Sequence, residues 1–242
     1  MSSFLNNKML GSGLLPHVGV RGAVNYISFQ TNKSGTFNPS VTVSDGSLVT
    51  WDYGDGTTST GATANRTYPD STTKTVTVTF ANPAAVTHLD FQSQSLVGTF
   101  NLSQLSVLTG LREFRGYSNA SWNVTGALGD LPSGMTYLYL ASTASTITGG
   151  VSAPLASGLQ NAQLYSCNYS QAQLDELLQY IYTHRAQWTH SAPVLHIGGT
   201  NPAPSGTYAD EDPPTTGKGY IYELVVDPES EGFKKWAITY TV

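Results

Sequence analysis

Thr136-Tyr137-Leu138-Tyr139-Leu140 is one of five related segments, and their spacing decides how this chain is read. The others are Thr87-His88-Leu89-Asp90-Phe91, Arg112-Glu113-Phe114-Arg115-Gly116, Gln160-Asn161-Ala162-Gln163-Leu164 and Val194-Leu195-His196-Ile197. The central residues Leu89, Phe114, Leu138 and Ala162 recur at intervals of 25, 24 and 24 residues. Within each segment apolar and polar residues alternate, the period of a strand with one buried face. Each unit then runs through Ser, Thr and Asn to a glycine such as Gly98, Gly126 or Gly149, and an apolar stretch like 128–134 closes it. A unit of this size cannot bury its own apolar face, but a row of them can, so the period predicts a stacked solenoid over 83–242.

Stacking has a consequence for the polar positions. Residues between the buried ones point to the open side, and successive units lie at about the 4.8 Å spacing of neighbouring strands. Asp90, Arg115, Tyr139, Gln163 and His196 then form one row, and His88, Glu113, Tyr137, Asn161 and Val194 a second. Planar aromatics with acid, base and amide groups suit recognition of a ligand. The competing reading is a solvated sheet face in which Asp90 and Arg115 make a weak cross-strand pair.

The fourth unit is longer. Leu174, Leu177, Leu178, Ile181 and Tyr182 form a helical stripe within 171–188, with Ser170 as the expected N-cap. The last 45 residues open with a Pro/Gly/Asp loop, followed by a short helix near 220–226 and a strand over 235–240. These are expected to cap the solenoid end.

Before the repeats, the pattern from 22 to 82 is β. Short runs rich in β-branched residues, Tyr26-Ile27-Ser28-Phe29, Val41-Thr42-Val43, the segment 48–53 and the alternating Thr75-Val76-Thr77-Val78-Thr79-Phe80, are separated by Gly, Asp, Asn and Pro. They predict a small sandwich. Trp51-Asp52-Tyr53-Gly54-Asp55-Gly56, followed by Arg66-Thr67-Tyr68-Pro69 and the 75–80 strand, closely resembles a PKD domain. That family usually carries His where Arg66 stands, and a Gly before its last strand that is missing here. The resemblance implies an Ig-like sandwich serving as a spacer or adhesive module. The repeats resemble leucine-rich repeats. A last repeat followed by a strand such as Trp236-Ala237-Ile238-Thr239-Tyr240-Thr241 resembles bacteriophage tail-associated and surface repeat proteins. The expected fold class is therefore mainly β with some α, a PKD-like Ig β-sandwich followed by a short leucine-rich-repeat α/β solenoid with a C-terminal capping unit.

Composition narrows the function. Across 242 residues there are 11 Lys and Arg against 16 Asp and Glu, a formal charge of −5. Charged residues make up 11% of the chain, well below the usual figure of about 25%. With 14 Tyr this is no disordered acidic tail. It also lacks the basic stripe of a nucleic-acid binder. No apolar run approaches the ~18 residues of a membrane span. Asn6, Asn7 and Lys8 interrupt the N-terminal apolar residues, so no export signal is expected, although the Thr/Tyr/Gly-rich composition suits an extracellular surface. A virion protein reconciles the two. Residues 1–21, without periodicity, are read as an arm that anchors the chain to other virion proteins in a homo- or hetero-oligomer. The alternative is a bacterial cell-surface adhesin or carbohydrate-binding accessory module.

Catalytic patterns are missing: no phosphate loop, dinucleotide fingerprint, H-E-x-x-H or G-x-S-x-G. The single Cys167 is read as a buried small residue. Neither His184 with His190 nor the carboxylate groups Asp52/Asp55, Asp210/Glu211/Asp212 and Glu229/Glu231 make a convincing metal or acid–base site, with a weak calcium site at Asp52/Asp55 as the alternative there. We therefore expect no enzyme, cofactor or metal, and a ligand that is a host-surface glycan or protein.

Overall fold

The computed structural model describes residues 25–210, 212–226 and 232–242. The expected arm, Glu211, Glu229 and Glu231 lie outside these residues. The protein is mainly β with some α, and its strands form two large sheets and one two-stranded ribbon.

The first seven strands are β1 (Tyr26–Thr31), β2 (Gly35–Phe37), β3 (Ser40–Val43), β4 (Val49–Asp52), β5 (Thr58–Thr60), β6 (Arg66–Tyr68) and β7 (Lys74–Phe80), and all but β3 pair antiparallel among themselves. In β7, Val76, Val78 and Phe80 are buried while the threonines face out, the split that a period of two imposes. Trp51 is fully buried, and its indole N–H donates to the Gly61 carbonyl at 2.9 Å. Between β4 and β5 the chain reverses on Gly54 and Gly56, both with positive φ; a side chain at Gly54 would collide with the Thr75 carbonyl. Asp55 accepts from the Thr57 amide and hydroxyl, and Arg66 holds it from β6 at 2.7 Å.

The repeats follow as β8 (Val86–Asp90), β9 (Leu96–Asn101), β10 (Glu113–Arg115), β11 (Ser121–Thr125), β12 (Tyr137–Tyr139), β13 (Asn161–Gln163), β14 (Val194–His196) and β15 (Ala237–Thr239). Strands β8, β10, β12, β13, β14 and β15 stack in parallel. Three residues after each strand sits a left-handed serine: Ser93, Ser118, Ser142 and Ser166, with φ between 53° and 58°, and Gly199 at 75° in the last such turn. These corners re-aim the chain once per coil. One residue further on, or two in the last turn, a buried polar side chain bonds carbonyls of the coils. Asn119 donates to the carbonyls of Phe91 and Gly116 at 2.9 Å and accepts from the Leu96 amide. Thr143 and Cys167 both donate to the Leu140 carbonyl, and the Asn201 amide donates likewise to the carbonyls of Leu164 and Ile197. Buried carbonyls left over by the coil are thus satisfied from inside.

Helix α1 (Gln171–Thr183) begins where expected, with Ser170 and Gln173 forming a reciprocal cap. It ends five residues before the sequence pattern does. A separate 3-10 turn, Arg185–Gln187, then brings Trp188 back onto the core against Trp236. Helix α2 (Gly217–Val225) packs on α1 and precedes β15.

The strands before residue 83 and those after it are not separated by a break in either sheet. One sheet runs β11-β9-β1-β7-β4-β5, the other β15-β14-β13-β12-β10-β8-β3. Each therefore takes strands from both sides of residue 83. β8 pairs antiparallel with β3, and β9 pairs at Gln30 and Thr31 of β1. The two sheets face one another across a single apolar core that runs from Ile27 to Trp236. At the junction the rings of Phe29, Trp51 and Phe114 all meet Phe91, within 4.7–6.5 Å between centroids.

Candidate functional site

The outer face of the seven-stranded sheet carries both predicted rows. Register pairs His88 with Glu113, Tyr137, Asn161 and Val194 in turn, and Asp90 with Arg115, Tyr139, Gln163 and His196. The buried partners are Leu89, Phe114, Leu138, Ala162 and Leu195, so alternation leaves the row residues on the open side.

At the β8–β10 end the row residues form a charge cluster. Arg115 Nε donates to Glu113 Oε1 at 2.5 Å, and its Nη1 lies 3.6 Å from Asp90 Oδ2. His88 Nε2 stands 3.5 Å from the other Glu113 oxygen, while its Nδ1 meets the Thr87 hydroxyl at 2.9 Å. The Glu113 side chain is only 11% exposed against 43% for Arg115, so the acid is the fixed member of the pair. Hydrogen bonding to Glu113 raises the Arg115 pKa further above its ordinary value, working against partial burial. On β12, Tyr137 and Tyr139 stack with centroids 6.0 Å apart and planes 24° off parallel. The Tyr137 hydroxyl is held by Gln160 Oε1 at 2.5 Å. Burial, reinforced by the nearby Glu113 charge, pushes the Tyr139 hydroxyl up from its ordinary value.

Asn161, Gln163 and His196 continue the rows beyond the tyrosines, on β13 and β14. They lie apart from the charge cluster along the stacking direction.

Two adjoining clefts border the cluster. One of about 260 Å3 is lined by Ser40, Thr42, His88, Asp90, Glu113 and Arg115. The other, about 220 Å3, is lined by Asn38, Gln92, Ser93 and Gln94 together with Ser40 and Asp90, which the two share. Sequence reasoning missed Ser40 and Thr42 because they come from the sandwich: β3 joins the sheet opposite Asp90 and His88. It also missed Gln92, Tyr117 and Tyr165, which continue the alternation two positions past Asp90, Arg115 and Gln163. The amides of Ser93 and Ser142 bond to the carbonyls of Tyr117 and Tyr165 and hold the coils in step there. The serine that follows each of these positions at the corner was the available signal.

The other candidates are occupied locally. Asp52 and Asp55 accept from turn amides, and burial of Asp55 is outweighed by Thr57 and Arg66, which hold its carboxyl below the ordinary range. His184 Nδ1 meets the Tyr180 carbonyl, and His190 Nδ1 accepts from the Ala192 amide. Cys167 is buried, and burial raises its thiol pKa. Among the described residues, no group of three or more His, Cys, Asp and Glu is placed to hold a metal ion, and no helix is long and apolar enough to cross a membrane. Comparison of the chain with family models, curated proteins and solved structures gives no match.

Proposed function

We propose that the chain is a non-enzymatic surface protein of a bacteriophage virion that attaches to a host surface through the outer face of the seven-stranded sheet. In this reading residues 22–82 are a PKD-like Ig sandwich and 83–242 a leucine-rich-repeat solenoid with its C-terminal cap. Residues 1–21 anchor it to other virion proteins in a homo- or hetero-oligomer, and neither nucleic acid nor a lipid bilayer is a partner.

The observation that carries the attachment reading is the side-by-side placement of a fixed Arg115–Glu113–Asp90 cluster and a stacked tyrosine pair on one open face. A solvated sheet face has no need of either. The repeat reading is supported by a Leu-x-x-Leu-x-Leu-x-x-Asn/Cys order, which characterises leucine-rich repeats. Its spacing recurs at Leu111, Phe114, Gly116 and Asn119, and again at Leu159, Ala162, Leu164 and Cys167, with Phe, Gly and Ala standing at three of the leucine positions. In both, the terminal polar residue bonds the preceding coil. The sandwich reading is supported by the buried Trp51 and the Gly54-Asp55-Gly56 turn, with Arg66 binding Asp55 from the position where the family usually has His.

Immunogold electron microscopy of a source-culture lysate, with antibody against residues 25–242, tests the location. Gold on tailed particles supports the virion reading, and its position separates head from tail. Gold on cell envelopes with bare particles replaces it by a bacterial adhesin. Attachment is tested by retention of purified chain on host cells. An Arg115→Ala/Tyr139→Ala double variant that still melts cooperatively is expected to lose retention; full retention refutes the ladder face as the contact.

A further inference from the structure

We propose that this face takes a neutral, polyhydroxylated glycan chain laid across the strands from β3 to β12, and that the Glu113–Arg115 pair excludes anionic glycans. The proposal rests on the reading of the ladder face as the attachment surface and adds the ligand class.

Charge carries the first half of the argument. Within the two rows Arg115 is the sole permanently cationic side chain, and two carboxylates claim it, at 2.5 Å from Glu113 and 3.6 Å from Asp90. Counting Asp90, Glu113 and Arg115, the cluster is net negative by one. A phosphate, sulfate, uronate or sialate needs a donor that carries free positive charge. To use Arg115 it would have to displace Glu113, whose side chain is nearly buried, and lie against Asp90 as well. Like-charge juxtaposition of that kind is a strong filter against the wrong partner.

Shape and hydrogen-bonding capacity carry the second half. The first cleft crosses the strands from β3 over β8 to β10, and the second, sharing Ser40 and Asp90, extends it along β3 and β8 towards Asn38 and Gln92, an open run instead of a closed pocket. Their lining mixes acceptors and donors: the carboxylates of Asp90 and Glu113, the remaining N–H groups of Arg115, His88, and the hydroxyls and amides of Ser40, Thr42, Asn38 and Gln92. Carboxylates accept from neighbouring hydroxyls of a sugar while guanidinium donates to the next oxygen. One strand further on, the stacked Tyr137 and Tyr139 give flat apolar area at low entropic cost. A sugar ring has a polar rim and an apolar face, and the combination of a mixed polar cleft with an adjacent aromatic platform matches both. An apolar peptide or lipid would desolvate the cluster and offer its remaining donors and acceptors no partner.

The test is a panel of neutral oligosaccharides and their uronate, sialate and phosphorylated counterparts, probed with the full chain. Expected are binding of a neutral member, about tenfold loss with Tyr139→Ala, and rejection of the acidic counterparts. Glu113→Gln frees Arg115 and is expected to raise acidic-glycan binding. Asp90→Asn, at a more exposed carboxylate, makes the same test should Glu113→Gln fail to fold. Preference of the wild-type chain for acidic glycans overturns the proposal, as does absence of glycan binding by a chain whose cell retention still depends on Arg115 and Tyr139. In both cases the attachment reading survives. Retention that is indifferent to Arg115 and Tyr139 in a folded variant removes the attachment reading and the glycan with it.

Discussion

The two large sheets share one core yet present different outer faces. On the six-stranded sheet the outward positions of β7, β4 and β5 are Thr75, Thr77, Thr79, Thr50, Thr58 and Thr60, with Ser28 beside them on β1 and Asp52 as an acidic exception. Threonine at such positions needs no ligand to account for it, because a β-branched side chain with a hydroxyl fits a pleated, half-solvated surface. Across β7, β4 and β5 that face holds neither an ion-pair cluster nor an aromatic pair, and a single exposed aromatic, Tyr26, stands beside them on β1. The seven-stranded sheet departs from it at Asp90, Glu113, Arg115, Tyr137 and Tyr139, where charge and aromatic area are brought together and held by hydrogen bonds. The difference lies in side chains alone, since both faces rest on equally buried apolar layers.

The comparison can be broken from beneath. Trp51→Ala opens a cavity at the junction of the sheets and is expected to cost about 3–5 kcal/mol. Because the core is continuous, both faces should melt in one transition, seen as coincident far-UV and near-UV circular dichroism. Two separated transitions would show that sandwich and coils are energetically independent. Next in size is the contrast between faces. Arg115→Ala/Tyr139→Ala should weaken host-cell retention by about tenfold or more, whereas Thr77→Ala/Thr79→Ala on the opposite sheet should leave it unchanged.

Smaller effects sharpen the sandwich side. Asp55→Asn removes the charged partner of Arg66 and is expected to cost about 1 kcal/mol, since Arg66 is one-third exposed and solvent screens the pair. The Asp55 pKa is depressed in the folded state, so its contribution is complete above about pH 5 and fades as pH falls through the folded value. Wild type and Asp55→Asn should therefore converge in urea midpoint in acid. The smallest effect is at the coil corners. Ser142→Gly relieves a left-handed serine, with a net change within about 0.5 kcal/mol, while Ser142→Val adds β-branched strain of about 1–3 kcal/mol at the same φ. Equal midpoints for the two variants would mean the corner relaxes.

Much of this was legible in the chain. The 24-residue period placed Leu89, Phe114, Leu138 and Ala162 in one layer and assigned the two rows between them, because a strand's period of two allows a single assignment once the stack is recognised. The Trp51-to-Gly56 turn and the Ser170 cap were readable for a similar reason, since their chemistry is local. Less visible were Asn119 and Cys167 as linked members of one inter-coil hydrogen-bond series, and Ser93 to Ser166 as left-handed corners. Their place three residues after each strand is a regularity of the sequence, but the left-handed turn there is a property of backbone torsion alone.

What the sequence by itself determined are the features that depend on neighbours in the chain: alternation, turn chemistry, helix capping and the interval between coils. What only tertiary structure decided is how the strands before and after residue 83 share their sheets. A reading along the chain puts a boundary at residue 83, but β3 pairs with β8 and β1 with β9, so both sheets cross it. The physical reason is that a sheet edge exposes unpaired amides and carbonyls and must be covered. Here the first coil covers the free edges of β1 and β3, and so brings Ser40 and Thr42 beside Asp90, Glu113 and Arg115 to complete a cleft that no stretch of sequence contains.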